Sequence, residues 1–450
     1  MVRTGAAEYH SRNSNASVLC DPFPFANTSD YPLESRSVLH SAIPAPNHSR
    51  IKIALLMLLR CCLLLTLAVL SHSQRTSAAA AENTGPWDLP ALKQTPSAEF
   101  GTAEGLVRPV FYAGEPFHGK PTRVFAWYAQ PAGAGPFPGV VLVHGGGGKA
   151  FREWALHWAS RGYAALAMDL AGHGPAGPLP DGGPNQSDET KFRDFTDHDV
   201  RDMWSYHAVA AVIRGHSLLA AQPDVAASRI GITGISWGGY LTCLVASLDD
   251  RLKVAVPVYG CGFLAENSVW TQPRFTPMTA ELRQRWVRNF DPSSYLTEVR
   301  CPILFLNGTN DFAYPLDSYR KCIRLVQPAL RTVSVIPRLP HGHIWTFPEV
   351  DAFIDSHLNG GQKLPQIGPL QQTSSQLTAT VQSPTDIREA MLHYTTADGP
   401  WQNREWKSLP AIVANGNITA TLPETAAAWY LAVKDSRGIT VSTEHRETGD

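Results

Sequence analysis

The sequence predicts an α/β protein: a mostly parallel β-sheet flanked by helices, followed by a small all-β sandwich at the C-terminus. Three observations support this prediction. Strand-like and helix-like segments alternate between residues 104 and 358. Several of the strand-like segments are continuous apolar runs, as expected for strands that are buried on both faces. After Leu358, short β-patterned runs alternate with turns instead.

The N-terminal part of the chain has the composition of a leader. Residues 1–50 are polar and lack periodicity, and we expect residues 1–56 to be a disordered or over-extended start. Residues 57–81 have a short basic start, an apolar stretch and an A-x-A cleavage pattern at Ala78–Ala80, which predicts a signal peptide. The alternative is a membrane anchor over residues 51–70, but Arg60 would be costly at its centre. We therefore expect a secreted or periplasmic protein, with no stable membrane span after cleavage.

Residues 82–360 carry the elements of the predicted sheet. Val107–Tyr112 and Thr122–Tyr128 are predicted to form an antiparallel pair of strands. Asp199 is a candidate N-cap for the predicted helix Asp199–His216. The predicted strands are Val107–Tyr112, Thr122–Tyr128, Gly139–Val143, Ala164–Met168, Val254–Val258, Pro302–Leu306 and Val333–Ile336, and the predicted helices are Ala150–Ser160, Asp199–His216 and Leu316–Leu325.

The most informative motif lies within the run I-G-I-T-G-I-S-W-G-G-Y at residues 230–240. It contains a G-x-S-x-G sequence centred on Ser236, after a β-rich run and before a small-residue run that can start a helix. This context is the one required by a nucleophile elbow, in which the serine hydroxyl stands exposed above the sheet. Flanking glycines allow the tight turn. The motif therefore predicts Ser236 as a nucleophile.

A glycine-rich loop follows the apolar strand Gly139–Val143. Its sequence is H-G-G-G-G, residues 144–148, and such glycines let backbone N–H groups approach a developing oxyanion. We expect one donor to be the N–H of Gly145 or Gly146 and the other that of Trp237. A phosphate-binding loop is the alternative, but Ala150 occupies the position where that motif needs Ser or Thr.

The predicted acid is Asp311, in the turn N-G-T-N-D that ends another buried strand. Parallel sheets place their sites at this end of the strands. The base is one of two histidines in L-P-H-G-H, His341 or His343, and only one should reach Ser236. We favour His343 because a preceding glycine would ease the approach of its ring. If neither is the base, His144 and His173 are the next candidates.

Other titratable clusters have simpler explanations. Asp194, Asp197, His198 and Asp199 could in principle bind a metal, but acidic residues are common at helix N-termini, and we expect no metal. The four cysteines after the leader are expected to be buried thiols, although an exported chain could form disulfides. The formal net charge is -1 and there is no basic run, so the sequence does not indicate nucleic-acid binding.

Two segments are candidates for the rim of the site. The Gly-, Pro- and Asp-rich stretch between Ala171 and Thr196 is longer than a simple connector needs to be, so we expect a functional loop. Residues 270–290 could form a second covering segment.

Together, H-G-G-G-G, G-I-S-W-G-G-Y, N-G-T-N-D-F-A-Y-P and L-P-H-G-H resemble the acetyl xylan esterase and dienelactone hydrolase branch of the α/β-hydrolases. This branch is also similar to the catalytic domain of prolyl oligopeptidases. The resemblance covers residues 104–358 and implies an α/β-hydrolase fold, a serine carboxylic-ester hydrolase and no metal or organic cofactor. It departs from dienelactone hydrolases at Ser236, where they have cysteine.

The remaining chain predicts a linker and an accessory domain. Residues 361–375 are rich in Gly, Pro, Gln and Ser, as linkers are. Residues 376–450 contain short β-patterned runs that predict a sandwich, and they resemble fibronectin type III-like modules of secreted hydrolases. Carbohydrate binding is possible in such a module, but a packing or spacer role is the simpler expectation.

Three functions are compatible with these features. The first is an exported serine esterase that removes acyl groups from a polysaccharide or a small ester. The second is a serine peptidase of the prolyl oligopeptidase type, for which no paired acidic motif that would bind a peptide amine is evident. The third is a non-enzymatic binding protein, which would need none of the ordered catalytic motifs.

Overall fold

The structure is a computed structural model that describes residues 83–449, all within one compact unit. The predicted leader and the segment before it lie outside the described residues. The strands of the catalytic part are β1 (Ala98–Phe100), β2 (Val107–Ala113), β3 (Arg123–Ala129), β4 (Phe137–Val143), β5 (Ala164–Met168), β6 (His173–Gly174), β7 (Gly177–Pro178), β8 (Val225–Ile235), β9 (Val254–Val258), β10 (Ile303–Gly308) and β11 (Arg331–Ile336).

Nine of these strands form one sheet in the order β1-β2-β3-β5-β4-β8-β9-β10-β11, and β6 and β7 form a separate hairpin. The first four pair antiparallel, which confirms the starting pair predicted from sequence. From β5 to β11 all pairings are parallel. The carboxyl ends of β4, β8 and β10 therefore lie at one edge of the sheet, where a site is expected.

Helices cover both faces of the sheet. The long central helices are almost wholly buried, because they lie between the sheet and the segments that cover it. The helices are α1 (Leu89–Leu92), α2 (Arg152–Ser160), α3 (Asp188–Phe192), α4 (Trp204–Ala220), α5 (Trp237–Leu248), α6 (Ala280–Phe290), α7 (Leu316–Leu325) and α8 (Pro348–Leu358). The prediction of a sheet flanked by helices is confirmed.

One predicted helix start is wrong. We expected a helix from Asp199, but α4 begins at Trp204 after a short 3₁₀ turn. Asp199 does not cap either element with its side chain. Its carboxylate instead accepts the backbone N–H of Thr196 at 2.6 Å and binds Arg193 at 2.6 Å. The acidic side chain thus stabilises the loop before the helix.

The C-terminal region forms two antiparallel sheets. Their inner faces enclose a separate apolar cluster that includes Leu377, Ile418 and Leu431, so the predicted sandwich is confirmed. The strands are β12 (Gln366–Ile367), β13 (Gln371–Thr373), β14 (Gln376–Gln382), β15 (Ile387–Thr395), β16 (Trp406–Pro410), β17 (Ile412–Ala414), β18 (Asn417–Thr421), β19 (Ala428–Asp435), β20 (Thr440–Ser442) and β21 (Arg446–Glu447).

The sandwich packs directly against the catalytic part. Residues of β19 and β20 belong to the two apolar clusters that also contain the large sheet. Ser334 of β11 donates to the carbonyl of Thr440 at 2.8 Å. The segment expected to be a linker contains β12 and β13, and both pair with β14.

The cysteines of the described part are Cys243, Cys261, Cys301 and Cys322, and all four are buried and unpaired. In the same part of the chain, no helix is both long and apolar enough to cross a membrane.

Candidate active site

Ser236 stands at the sharp turn between β8 and α5. Its backbone has φ 55° and ψ −120°, a conformation that residues other than glycine rarely adopt. The turn survives because the strand before it and the helix after it are both buried and packed. The result is the nucleophile elbow predicted from G-x-S-x-G.

Two glycines make room for this elbow. A Cβ on Gly238 would lie 2.0 Å from the carbonyl oxygen of Val143, and one on Gly260 would lie 2.2 Å from that of Ser236. No side chain fits at such distances. Gly238 was singled out by the motif, whereas Gly260 lies on the next loop and carries no local signal.

A chain of hydrogen bonds joins the predicted acid to the serine. The Oδ2 atom of Asp311 lies 2.7 Å from Nδ1 of His341, and Nε2 of His341 lies 2.9 Å from Oγ of Ser236. The other oxygen of Asp311 accepts the N–H groups of Ala313 and Tyr314. Because a carboxylate can only accept, the imidazole proton belongs on Nδ1, and Nε2 is free to accept the serine hydroxyl.

The preference for His343 over His341 is wrong on this geometry. The exposed ring of His343 packs against Phe151, with centroids 5.3 Å apart, and makes no contact with the serine. The argument from glycine also fails, because a Cβ on Gly342 would meet only Ile344, at 3.9 Å. This backbone is therefore not in a tight approach.

Three aromatic rings determine the orientation of His341. Its ring centroid is 4.5 Å from that of Tyr259 and 4.9 Å from that of Phe312, and the ring of Tyr314 is parallel to it at 6.4 Å. The hydroxyl of Tyr259 also donates to the carbonyl of Gly342 at 2.7 Å. Tyr259 thus holds both the ring and the loop backbone, a role that the sequence did not indicate.

The glycine loop lies against the elbow, as predicted. A Cβ on Gly145 would lie 3.0 Å from the side chain of Ser236, and one on Gly146 would lie 2.8 Å from that of Trp237. Within residues 83–449, the backbone N–H groups of Gly146 and Trp237 donate to no protein acceptor. The N–H of Trp237 is free because it begins a helix. These are the groups expected to face an oxyanion.

His144 anchors this loop and is not available as a base. Its Nδ1 lies 2.7 Å from the carbonyl of Gly145, and its Nε2 accepts the N–H of Leu170 at 2.9 Å. Burial lowers the pKa of His144, so the ring is neutral at pH 7. His173, the other reserve candidate, belongs to the β6–β7 hairpin, where its backbone N–H donates to Oδ1 of Asp169 at 2.8 Å. Within residues 83–449, no hydrogen bond joins its ring to Ser236.

The loop between Ala171 and Thr196 contacts the glycine loop through Gln186. Its Oε1 accepts the N–H of Gly147 at 3.1 Å. The carbonyl of Gln186 is in turn bound by the ammonium group of the buried Lys191 at 2.7 Å. That ammonium lies 4.9 Å from the ring centroid of Trp237. The long loop therefore supports the predicted oxyanion region, although its sequence pointed only to a rim.

Aromatic side chains line the surroundings of Ser236. Trp237 packs on Trp270 with centroids 4.6 Å apart, and Trp270 packs on Tyr314 at 5.3 Å. Trp270 introduces the covering segment predicted from sequence, which contains a π-helical turn and α6. On the other side of His341, 53% of Phe312 is exposed.

The acidic cluster has structural partners. Asp194 binds Arg285 at 2.9 Å and Asp199 binds Arg193. In the described part of the chain, no group of three or more His, Cys, Asp or Glu side chains is arranged to hold a metal ion.

Comparisons with known proteins agree with these features. The acetyl xylan esterase family model matches residues 101–295. The acetyl esterase Axe7A of Xylanibacter ruminicola is 24% identical over 215 residues, which are 43% of this chain and 46% of that protein. The peroxisomal succinyl-coenzyme A thioesterase of Mus musculus is 25% identical over 221 residues, 44% of this chain and 46% of its own. The match thus spans about half the length of these relatives.

Among solved structures, the acetyl xylan esterase from Paenibacillus sp. R4 is 22% identical, with a TM-score of 0.48 over 60% of this chain and 92% of that one. Both the matched family and Axe7A are named as acetyl esterases. Strand order, the elbow and the matched region together confirm the predicted resemblance: this chain has the α/β-hydrolase fold and resembles the acetyl xylan esterases over residues 101–295.

Proposed function

We propose that this protein is an exported serine carboxylic-ester hydrolase that removes small acyl groups from carbohydrates. The observation that carries the proposal is the continuous hydrogen-bond chain from Asp311 through His341 to Ser236. Such a chain makes a serine hydroxyl a nucleophile at neutral pH.

In the proposed reaction, Oγ of Ser236 forms a bond to the ester carbonyl carbon and its proton moves to Nε2 of His341. Asp311 stabilises the resulting imidazolium. The amides of Trp237 and of Gly145 or Gly146 donate to the oxyanion of the tetrahedral intermediate. The bond to the leaving oxygen then breaks, and His341 gives the proton to that oxygen.

The acyl-enzyme is removed by water. His341 takes a proton from the water molecule as its oxygen bonds to the acyl carbon. The intermediate then collapses, the acid leaves and the proton returns to Ser236. No metal or cofactor takes part in the proposed sequence.

Two features support an acetylated carbohydrate as substrate. The ring of Trp237, the residue after the serine, packs on Trp270, and Trp270 packs on Tyr314, so a continuous aromatic cluster limits the space on this side and favours a small acyl group. The leaving oxygen must lie next to His341 to receive its proton, and the exposed ring of Phe312 lies 4.9 Å from that histidine. An exposed aromatic ring offers an apolar face on which a sugar can pack.

The test of the reaction is Ser236→Ala. Hydrolysis of 4-nitrophenyl acetate should fall by about 10⁴-fold or more, because the covalent step is lost. Thermal unfolding of the variant should match that of the wild type. Turnover close to wild type in the folded variant would contradict the proposal.

A panel of substrates tests the class. Acetylated xylo-oligosaccharides should be preferred over simple alkyl acetates, and acyl groups longer than acetyl should react more slowly. Peptide anilides are the matched negative substrates, and efficient cleavage of these would favour the peptidase alternative.

Export is the part of the proposal supported by the leader pattern alone. The mature chain should begin near Ala81 or Glu82, where the A-x-A pattern predicts cleavage. N-terminal sequencing of the protein from its natural host tests this, and a mature chain that retains residues 51–70 would favour a membrane anchor.

A further inference from the structure

A turn of the C-terminal sandwich contacts the loop that carries Asp311. Asn310, the residue directly before the acid, points its amide nitrogen at this turn. The Nδ2 atom lies within hydrogen-bond distance of three carbonyl oxygens, those of Trp401 at 3.3 Å, Gln402 at 3.2 Å and Arg404 at 2.7 Å. One side chain thus joins the sandwich to the acid loop.

The turn itself is rigidly held. Arg404 is buried and its guanidinium lies 3.6 Å from the ring centroid of Trp401. The same guanidinium donates to the carbonyl oxygens of Gly399 at 2.7 Å and Asp398 at 3.3 Å. The carbonyl groups that accept from Asn310 therefore belong to a turn whose conformation is fixed by the hydrogen bonds and ring contact of Arg404.

The tryptophans of the sandwich are buried in its interior and in its contact with the catalytic part. Trp401, Trp406 and Trp429 are only 4%, 9% and 5% exposed, so none of them offers a face on which a sugar could stack. Trp401 and Trp406 belong to the same apolar cluster as the catalytic sheet. This distribution favours a role inside the molecule over carbohydrate capture by these rings.

We propose that the C-terminal sandwich holds the side chain of Asn310 in place and thereby positions Asp311 for catalysis. The inference rests on the proposed function, because its effect is exerted on the acid of that reaction. Asn310 is a positioning residue: it touches neither Ser236 nor His341, and it fixes the start of the turn in which Asp311 accepts two backbone N–H groups.

The principal test is Asn310→Ala in the full-length chain. With 4-nitrophenyl acetate, kcat should fall by about 10- to 100-fold, because small displacements of a catalytic group have effects of this size. KM should change by less than about two-fold, since Asn310 contacts no part of the substrate site. A folded variant with wild-type kcat would overturn the proposal.

A double mutant tests whether the effect passes through the acid. Adding Asn310→Ala to Asp311→Asn should lower kcat little further than Asp311→Asn alone, because the group being positioned has already lost its function. Full additivity of the two losses would show that Asn310 acts elsewhere, and it would also overturn the proposal.

Glu444→Gln is the matched control. Glu444 joins the sandwich to α7 and β11 through Arg324 at 2.9 Å and Arg331 at 3.1 Å, away from the acid loop. This variant should lower the thermal midpoint but keep wild-type kcat. An equal loss of kcat in Glu444→Gln would indicate general undocking and would contradict a specific role for Asn310.

A second variant perturbs the contact from the other side. If Asn310→Ala does not fold, Arg404→Lys weakens the turn that supplies the carbonyl groups and should give the same fall in kcat at constant KM. Wild-type kcat in Arg404→Lys would then overturn the proposal that Asn310 positions Asp311. Failure of the proposed function is distinguishable, because it would appear as wild-type turnover by Ser236→Ala.

Discussion

At the scale of single residues, the site depends on how the two histidines of one short loop are oriented. His341 lies between Tyr259 and Phe312 and reaches both Asp311 and Ser236. His343, two residues later, lies on the outside against Phe151. The selection is made by aromatic packing and by the hydroxyl of Tyr259, which binds the intervening backbone.

Separate alanine substitutions should therefore have unequal effects. His341→Ala should lower kcat by several orders of magnitude, because in the described part of the chain no other side chain lies at hydrogen-bond distance from Oγ of Ser236 to accept its proton. His343→Ala is the matched control and should change kcat by less than about three-fold, because its ring is exposed and packs against Phe151 instead of contacting Ser236. Steady-state kinetics on a small acetate ester would measure both. Severe loss in His343→Ala with an active His341→Ala would reverse the assignment.

At the scale of elements, the long loop before α4 brings a buried lysine close to the site. Lys191, in the short helix α3, is 4% exposed and lies over the ring of Trp237. Burial lowers its pKa to about 8, because the charged form loses its hydration. The nearest carboxylate, that of Asp188, is 3.8 Å away and only partly compensates.

The stability of the protein should depend on the ionisation of Lys191. Its folded-state pKa is below the unfolded value near 10.5, so the cost of burying the charge is fully present below pH 8 and is lost as the pH rises towards 10.5. Relative to Lys191→Met, the wild type should gain about 2 kcal/mol in unfolding free energy between pH 7 and pH 10. Urea denaturation at the two pH values measures the difference, and groups common to both proteins cancel. A pH-independent difference would refute the assignment.

At the scale of the whole molecule, the catalytic part and the C-terminal sandwich share apolar cores. Ile439 and Val441 lie in the cluster on one side of the large sheet, and Tyr430 lies in the cluster on the other. Ion pairs from Arg320 to Glu447 and from Arg324 to Glu444 add to this junction. Burial of this kind contributes more than these partly exposed ion pairs do.

A chain truncated after Gly360 should therefore not behave as an independent catalytic domain. Removal of the sandwich would expose apolar surface of the large sheet, so we expect aggregation or a strongly lowered thermal midpoint. The intact protein should unfold in a single calorimetric transition, because its parts share a core. A truncated chain that stays monomeric with an unchanged midpoint, or two separate transitions in the intact chain, would contradict this expectation.

Local sequence was sufficient where a side chain's role depends on its immediate neighbours. The buried strands β5 and β9 and the helix α7 have the predicted bounds, because the two strands are short continuous apolar runs and the helix has a clear apolar period. Ser236 and Asp311 are predictable as candidates because their loops follow such strands. The helix start predicted at Asp199 is wrong because an acid at a loop end can bind the loop itself as readily as cap a helix.

The sequence by itself determined the fold class, the elbow, the glycine loop and the acid, since each is encoded in a contiguous motif whose geometry is local. Only the tertiary structure decided between His341 and His343, because that orientation depends on Tyr259, a residue on a different strand end. It also brought Asn310 to the C-terminal turn and Gln186 to the glycine loop. These contacts join segments far apart in the chain, and no local pattern encodes the packing that makes them neighbours.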